Sequence, residues 1–191
     1  MRTTQAEVLV QEKSSKNLLI IGIISIVMFF GGLTSAYIVS MGAKGWRNFD
    51  IPAIFWVSTI AILISSATMV LAVESIKQNK KNNAIGFLIA TLGLGIAFTV
   101  LQFMGWSELV ANNITFTGKT SSTSHSFFYG ITFLHLLHLL SGILAVIYCI
   151  FALKKNRYSP TSYNGLTMCG IYWHFLDVLW IYLFLFLIFV K

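Results

Sequence analysis

The chain has 191 residues, of which 57% are hydrophobic and only 10% charged, with a mean hydropathy of +0.80. That balance excludes an ordinary water-soluble domain and makes lipid the main solvent of the fold. The formal net charge of +7 sits in short Lys and Arg clusters between apolar runs. This pattern excludes the continuous basic face that nucleic acid requires, so topology and anionic lipid account for the charge.

Residues 1–17 are polar and mixed in sign. The apolar run behind them is too long for a signal-peptide core and ends in no small-residue cleavage motif, so it reads as a retained membrane helix. A hydrocarbon core about 30 Å thick takes roughly 20 helical residues, because lipid offers no partner to free backbone groups. Five stretches satisfy this requirement: Leu18 to Met41, Pro52 to Val73, Ala84 to Gly105, Ser126 to Leu153, and Gly165 to Val190. Pro52 suits a first helical turn, and the polar turn Arg157 to Pro160 separates the last two spans.

Five spans put the termini on opposite sides. Arg2, Lys13, Lys16, Lys77, Lys80, Lys81, Lys154, Lys155 and Arg157 make nine cations on one side, against Lys44, Arg47, Lys119 and Lys191, four, on the other. The positive-inside rule therefore places the N-terminus in the cytoplasm and the C-terminus outside. With no internal repeat and no long linker, the expectation is all-α: a cytoplasmic segment 1–17 and one five-helix transmembrane bundle over 18–191. Small residues at Gly31-Gly32, Ser65 to Ala67, Gly93 and Gly95, and Ser141-Gly142 suit close helix packing. Cys149 and Cys169 lie in apolar segments with no CxxC pattern, which indicates neither a disulfide framework nor a metal finger.

Charged groups in lipid are costly, by roughly 2.5 to 3.5 kcal/mol on insertion scales, so the polar residues inside spans carry the information. They are Gln102 on the third span, His135 and His138 on the fourth, and His174 and Asp177 on the fifth. Each pair is spaced i, i+3 and so projects from nearly one helix face. Three readings stay open on residue types alone: hydrogen bonding across helices, ligation of a haem between His135 and His174 as in a membrane cytochrome b, and proton or ion translocation as in a small transporter. Leu134, Leu136, Leu137, Leu139 and Leu140 crowd the histidines of the fourth span, which disfavours the haem. The first two spans supply no ionisable group near their centres, which disfavours conduction. Glu74 and Glu108 lie at span ends and read as interfacial carboxylates, and His125 reads as an exposed loop residue beside Thr120 to Ser124. No nucleophile elbow, phosphate loop, zinc motif or dinucleotide fingerprint is present.

On the fifth span, Tyr172 to Trp180 reads YWHFLDVLW and resembles the signature YWHFVDVVW of the cytochrome c oxidase subunit III family, with seven of nine positions identical. On the fourth, Thr132 to Gly142 resembles the family's TGxHGxHVxxG pattern through Thr132, His135, His138 and Gly142, with Phe133 and Leu136 in place of glycines. Ser58-Thr59 and Leu63 to Thr68 are similar to the family's NTxxLLSSxT segment, and Gln102 stands where the family has a glutamine. The first span departs from the pattern: Ile26 occupies the place of a buried family glutamate, and Thr167 replaces another upstream of YWHF.

The resemblance covers all five spans and matches the last five helices of seven-helix members. It implies a subunit with no catalytic site and no bound cofactor or metal, in the cytoplasmic (inner) membrane of a bacterium. Haem and copper would reside in partner subunits, and phospholipid would bind between helices. The implied partners are oxidase subunit I as the main contact, subunit II, and a respiratory supercomplex. The implied role is support of an oxygen-reducing, proton-pumping catalytic subunit, with cytochrome c favoured over quinol as electron donor. Roles tied to the missing glutamates do not carry over. His135, His138, His174, Asp177, Trp173, Trp180 and Gln102 are expected to act as interhelical or lipid-contacting groups, chiefly between the fourth and fifth helices.

Overall fold

The computed structural model describes residues 5–42, 45–118, 121–159 and 162–190, with side chains described from residue 13 onward. Five helices account for nearly all of it: α1 (Gln5–Ser40), α2 (Ile54–Lys77), α3 (Lys81–Ala111), α4 (Thr123–Lys154) and α5 (Asn164–Phe189). All five are long and apolar enough to cross a membrane. Each contains or nearly coincides with one predicted span. The largest departure is α1, whose helix continues back through the polar segment to Gln5. Its 36 residues give a rod of about 54 Å at a rise near 1.5 Å per residue, well beyond the hydrocarbon core. At α2 the helix begins two residues after Pro52, whose carbonyl accepts the Phe55 N–H at 3.2 Å.

Three helices end on the same device. Asn79, Asn113 and Asn156 follow α2, α3 and α4 with φ of 59°, 60° and 55°, the left-handed region that asparagine tolerates better than most side chains. In each case the next N–H reaches back to satisfy an orphan carbonyl: Lys80 to Ser75 at 2.8 Å, Ile114 to Leu109 at 3.0 Å, and Arg157 to Ala152 at 3.0 Å. These are Schellman closures, and they turn the chain sharply out of the membrane. The Arg157 turn continues as a reciprocal backbone pair between Ser159 and Ser162, while Pro160 lies outside the described residues. At its other end α4 is capped by Ser122, whose hydroxyl accepts the His125 N–H at 3.3 Å.

The helices alternate in direction, and their connections meet at two ends. At one end Lys81 Nζ donates to Asn156 Oδ1 at 2.5 Å, joining the α2–α3 and α4–α5 turns. At the other, Ser124 Oγ donates to the Arg47 carbonyl, and Tyr129 Oη donates to the Ile114 carbonyl at 2.9 Å, which draws the other two connections onto α4. Of the thirteen cations counted in the sequence, Arg2, Lys44, Lys119 and Lys191 lie outside the described residues.

Helices α2, α3, α4 and α5 form a closed ring, each packed on its neighbours in the order α2–α3–α4–α5–α2. Helix α1 lies outside the ring against α4 and α5. Only 11% of its apolar window is buried, against 50% for α4, so most of α1 faces lipid or another protein. The core is thus a four-helix bundle, and Gln102, His135, Asp177, Trp173 and Trp180 are buried within it.

Candidate functional site

Two tryptophans of α5, two helical turns apart, organise the bundle interior. Trp173 is fully buried and touches all three other ring helices. Its Nε1 donates to Ser65 Oγ of α2 at 3.0 Å. Its ring fills the space over Gly95 of α3, where a β-carbon would lie 2.8 Å from Cη2, and over Gly142 of α4, where the approach to Cε3 would be 3.4 Å. Trp180 repeats the arrangement: Nε1 donates to Thr59 Oγ1 of α2 at 3.0 Å, with Phe98 of α3 at 5.0 Å and His135 of α4 at 5.1 Å between ring centroids. Buried indole N–H groups need acceptors, and in lipid only protein supplies them. The hydroxyls of α2 provide both.

A third layer lies toward the end of the bundle that carries the α1–α2 and α3–α4 connections. Gln102 of α3, 1% exposed, donates from Nε2 to Ser58 Oγ of α2 at 2.9 Å. Nearby, Gly105 admits the Phe55 ring, which a β-carbon there would meet at 2.5 Å. Phe55 in turn packs edge-on against Phe128 of α4. Of the small residues singled out in the sequence, Gly95, Gly142 and Ser65 sit in these contacts, whereas Gly31, Gly32 and Gly93 face open space.

The paired residues at i, i+3 diverge, because three residues leave a 60° offset around the helix. His135 points inward, 1% exposed, between Trp180 and Phe98, whose ring centroid is 6.1 Å away. His138 turns toward α1, with Phe30 at 5.5 Å and Phe29 at 6.4 Å, and its Nδ1 donates to the Leu134 carbonyl at 2.7 Å. On α5, His174 Nδ1 shares a hydrogen bond with Ser66 Oγ of α2 at 2.6 Å. Asp177 is 2% exposed beside Ser66, with neither carboxyl oxygen in a hydrogen bond of good geometry.

The hydrogen bonds of the fifth-helix stripe therefore run to α2, while its contact with the fourth-helix histidines is the His135–Trp180 ring contact. His135 and His174 address different neighbours and do not converge on one site. Among the described residues no group of three His, Cys, Asp or Glu side chains is placed to hold a metal ion. His125, expected at the surface, is 4% exposed and packs edge-on against Phe49 at 5.1 Å, because the α1–α2 connection folds over the start of α4. Glu108 is exposed, and Glu74 pairs with Lys77 at 3.4 Å, both half-exposed.

Sequence reasoning missed the remaining interhelical ties. Thr34 meets Tyr182 at 3.0 Å, Thr68 meets Thr91 at 2.7 Å, and Ser141 meets Tyr172 at 2.7 Å. The available signal was on α2, where Ser58 and Ser65, and Thr59 and Ser66, repeat at seven residues, matching the Trp173–Trp180 interval.

A polar stripe on α2, two indoles on α5 and glycine sockets on α3 and α4 build a closely fitted bundle, in which Asp177 is the one buried carboxyl among the described residues. Comparison with known proteins gives this arrangement a family. Residues 4–190 match the family model described as cytochrome c oxidase subunit III. The chain is 30% identical over 173 residues to cytochrome c oxidase subunit 3 of Corynebacterium diphtheriae, covering 86% of this chain and 82% of that one. It is 28% identical over 161 residues to cytochrome bo(3) ubiquinol oxidase subunit 3 of Pseudomonas putida, covering 82% and 76%. With cytochrome c oxidase subunit 3 of Gallus gallus it shares 30% identity over 144 residues, 75% of this chain and 52% of the relative. This multi-pass membrane protein belongs to the cytochrome c oxidase subunit III family.

Proposed function

We propose that the chain is the non-catalytic third subunit of a haem-copper terminal oxidase in aerobic respiration. The observation that carries this reading is the family match over residues 4–190. A catalytic or ligand-bearing subunit needs an open coordination site or a reachable nucleophile. Here Gln102, Trp173 and Trp180 donate to hydroxyls of α2, and the indoles and phenyl rings fill the axis. The role is that of a scaffold beside the subunits that hold haem and copper.

In this reading oxidase subunit I is the main contact and subunit II a further neighbour, within a complex that reduces oxygen and pumps protons and that joins a respiratory supercomplex. Phospholipid binds between helices. The membrane is the bacterial cytoplasmic membrane, with residues 1–17 on the cytoplasmic side and residues 18–191 as the membrane domain. That orientation rests on the nine-to-four division of Lys and Arg. Cytochrome c is the favoured electron donor, on the likeness of the YWHF segment. The quinol alternative has support in the Pseudomonas putida relative, whose identity to this chain is nearly as high.

The test is a mild-detergent pull-down of the tagged chain from respiring membranes, with pyridine haemochrome analysis and peptide identification. Haem arriving with a large polytopic haem-copper subunit, and no haem on the chain expressed alone, is the expected result. A chain that is purified alone with haem bound overturns it and makes His135 and His174 the first ligands to mutate.

A further inference from the structure

Cys149 of α4 and Cys169 of α5 are the two cysteines of the chain, both free thiols and 2% and 7% exposed. They are twenty positions apart in sequence, and the antiparallel register of α4 and α5 brings them together. That register is set two helical turns away, where a β-carbon at Gly142 would lie 3.0 Å from Leu176 Cδ1 and Ser141 bonds to Tyr172. Seven residues forward from Gly142 is Cys149, and seven back from Leu176 is Cys169. Seven residues is close to two full turns, so both sulfurs return to the contact face. The absence of a side chain at Gly142 draws the two helices close. The thiols touch each other, and the Tyr158 hydroxyl touches the Cys149 sulfur. Tyr158 is itself held over Gly165, one turn before Cys169, where any β-carbon would collide with its hydroxyl.

Buried cysteine usually serves as a small apolar filler. Two features set this pair apart: each thiol faces the other, and Tyr158 links them to water. The same tyrosine lines a partly polar surface cavity of about 260 Å³ with Ile76, Asn79, Lys81, Asn156 and Ser159. This is the end of the bundle that the positive-inside count assigns to the cytoplasm, a reducing compartment where protein disulfides are transient and redox-sensing rather than structural.

We infer that Cys149 and Cys169 form a redox-modification site, a dithiol that a small hydroperoxide entering past Tyr158 converts into a reversible α4–α5 disulfide. The Cys149 sulfur, as thiolate, attacks the peroxide O–O bond. That bond breaks, a sulfenic acid forms on Cys149, and the departing hydroxide leaves as water with the proton that Cys149 released. The Cys169 sulfur then displaces the sulfenic hydroxyl, the S–S bond forms, and that hydroxyl leaves as a second water with the Cys169 proton. The two thiols lose two electrons and hydrogen peroxide gains them. A thiol reductant reverses the step by exchange. The product pins the cytoplasmic ends of α4 and α5 together.

The experiment treats membranes holding the full chain in its native complex with hydrogen peroxide, blocks remaining thiols with N-ethylmaleimide, and maps the cysteine peptides by mass spectrometry. The expected result is one joined peptide carrying Cys149 and Cys169, lost on treatment with dithiothreitol, and formed several-fold more slowly in Tyr158→Phe. In Cys169→Ser, Cys149 should instead be trapped as a dimedone adduct. Recovery of the two cysteines on separate alkylated peptides overturns the inference, as does conversion of Cys149 to sulfinic acid without linkage. The assay on the unmodified chain needs no variant to fold, and its outcome is independent of which complex the chain serves.

Discussion

The indole of Trp173 occupies the volume that a side chain at Gly95 would need, with Cη2 2.8 Å from where a β-carbon would stand. The ring is held from the α2 side by Ser65 and from the α4 side by Gly142, so it has no free direction in which to retreat. Gly95→Ala is expected to destabilise the bundle by about 1–3 kcal/mol through overpacking, and Gly95→Leu to abolish accumulation. Thermal denaturation in detergent with fluorescence of the tryptophans measures the first, and membrane abundance the second. A Gly95→Ala chain as stable as the original would show that Trp173 is not fixed.

Removing the acceptor beneath an indole leaves a buried donor unmatched. Ser65→Ala and Thr59→Ala should each lower stability by roughly 0.5–2 kcal/mol, the range of hydrogen bonds between membrane helices. The paired variants Ser65→Ala with Trp173→Phe should recover part of that loss, because no donor remains to satisfy. A double-mutant cycle by detergent or urea unfolding reads the coupling, and a coupling of zero would mean that the bond contributes nothing.

Asp177 sits deep in α5 beside Ser66 and His174. Asp177→Asn retains groups that hydrogen-bond and should keep most of the assembly with partner subunits, whereas Asp177→Leu retains none and should lose it. Co-purification of the complex from membranes of the two variants is the measurement. Equal recovery of both would remove any need for a polar group there.

Helix endings offer a sharper backbone test. Asn156 has φ of 55°, and its Oδ1 also accepts from Lys81. Asn156→Gly removes the side-chain bond but relieves the left-handed strain, so it should be close to neutral. Asn156→Val should cost about 1–2 kcal/mol, since a β-branched residue is disfavoured in that conformation. Identical melting temperatures for the two variants would contradict the Schellman closure.

Orientation is tested by single cysteines placed in a Cys149→Ser, Cys169→Ser background. Lys80→Cys and Lys155→Cys should react with an impermeant maleimide only from the cytoplasmic face, and Asn113→Cys only from the outside. Labelling of Lys80→Cys and Asn113→Cys from one side would break the alternating topology.

Much of the architecture is legible in the sequence because membrane crossing is a local property. Length and hydropathy of a segment decide it without reference to neighbours, so five spans and the all-α class follow from runs such as Leu18 to Met41. Polar residues in those runs stand out for the same reason, and Gln102, His135, Trp173, Asp177 and Trp180 are all found buried. The sequence also shows the asparagines that end three helices, though their left-handed role emerges only from φ.

What the tertiary structure alone decided is which surfaces meet. Lipid tails are as apolar as leucine, so hydropathy cannot tell a lipid-facing side chain from one facing a helix. That is why α1, as apolar as the others, proves to lie outside the ring, and why Gly93 is open while Gly95 receives Trp173. It is also why the indoles of α5 find their acceptors, and His174 its hydrogen-bond partner, on α2, when i, i+3 spacing within α4 and α5 had suggested a shared stripe. Partner choice depends on rotation about each helix axis and on the register between helices, and both are set by the fit of Trp173 into its glycine sockets. The meeting of Cys149 with Cys169 follows from that same register.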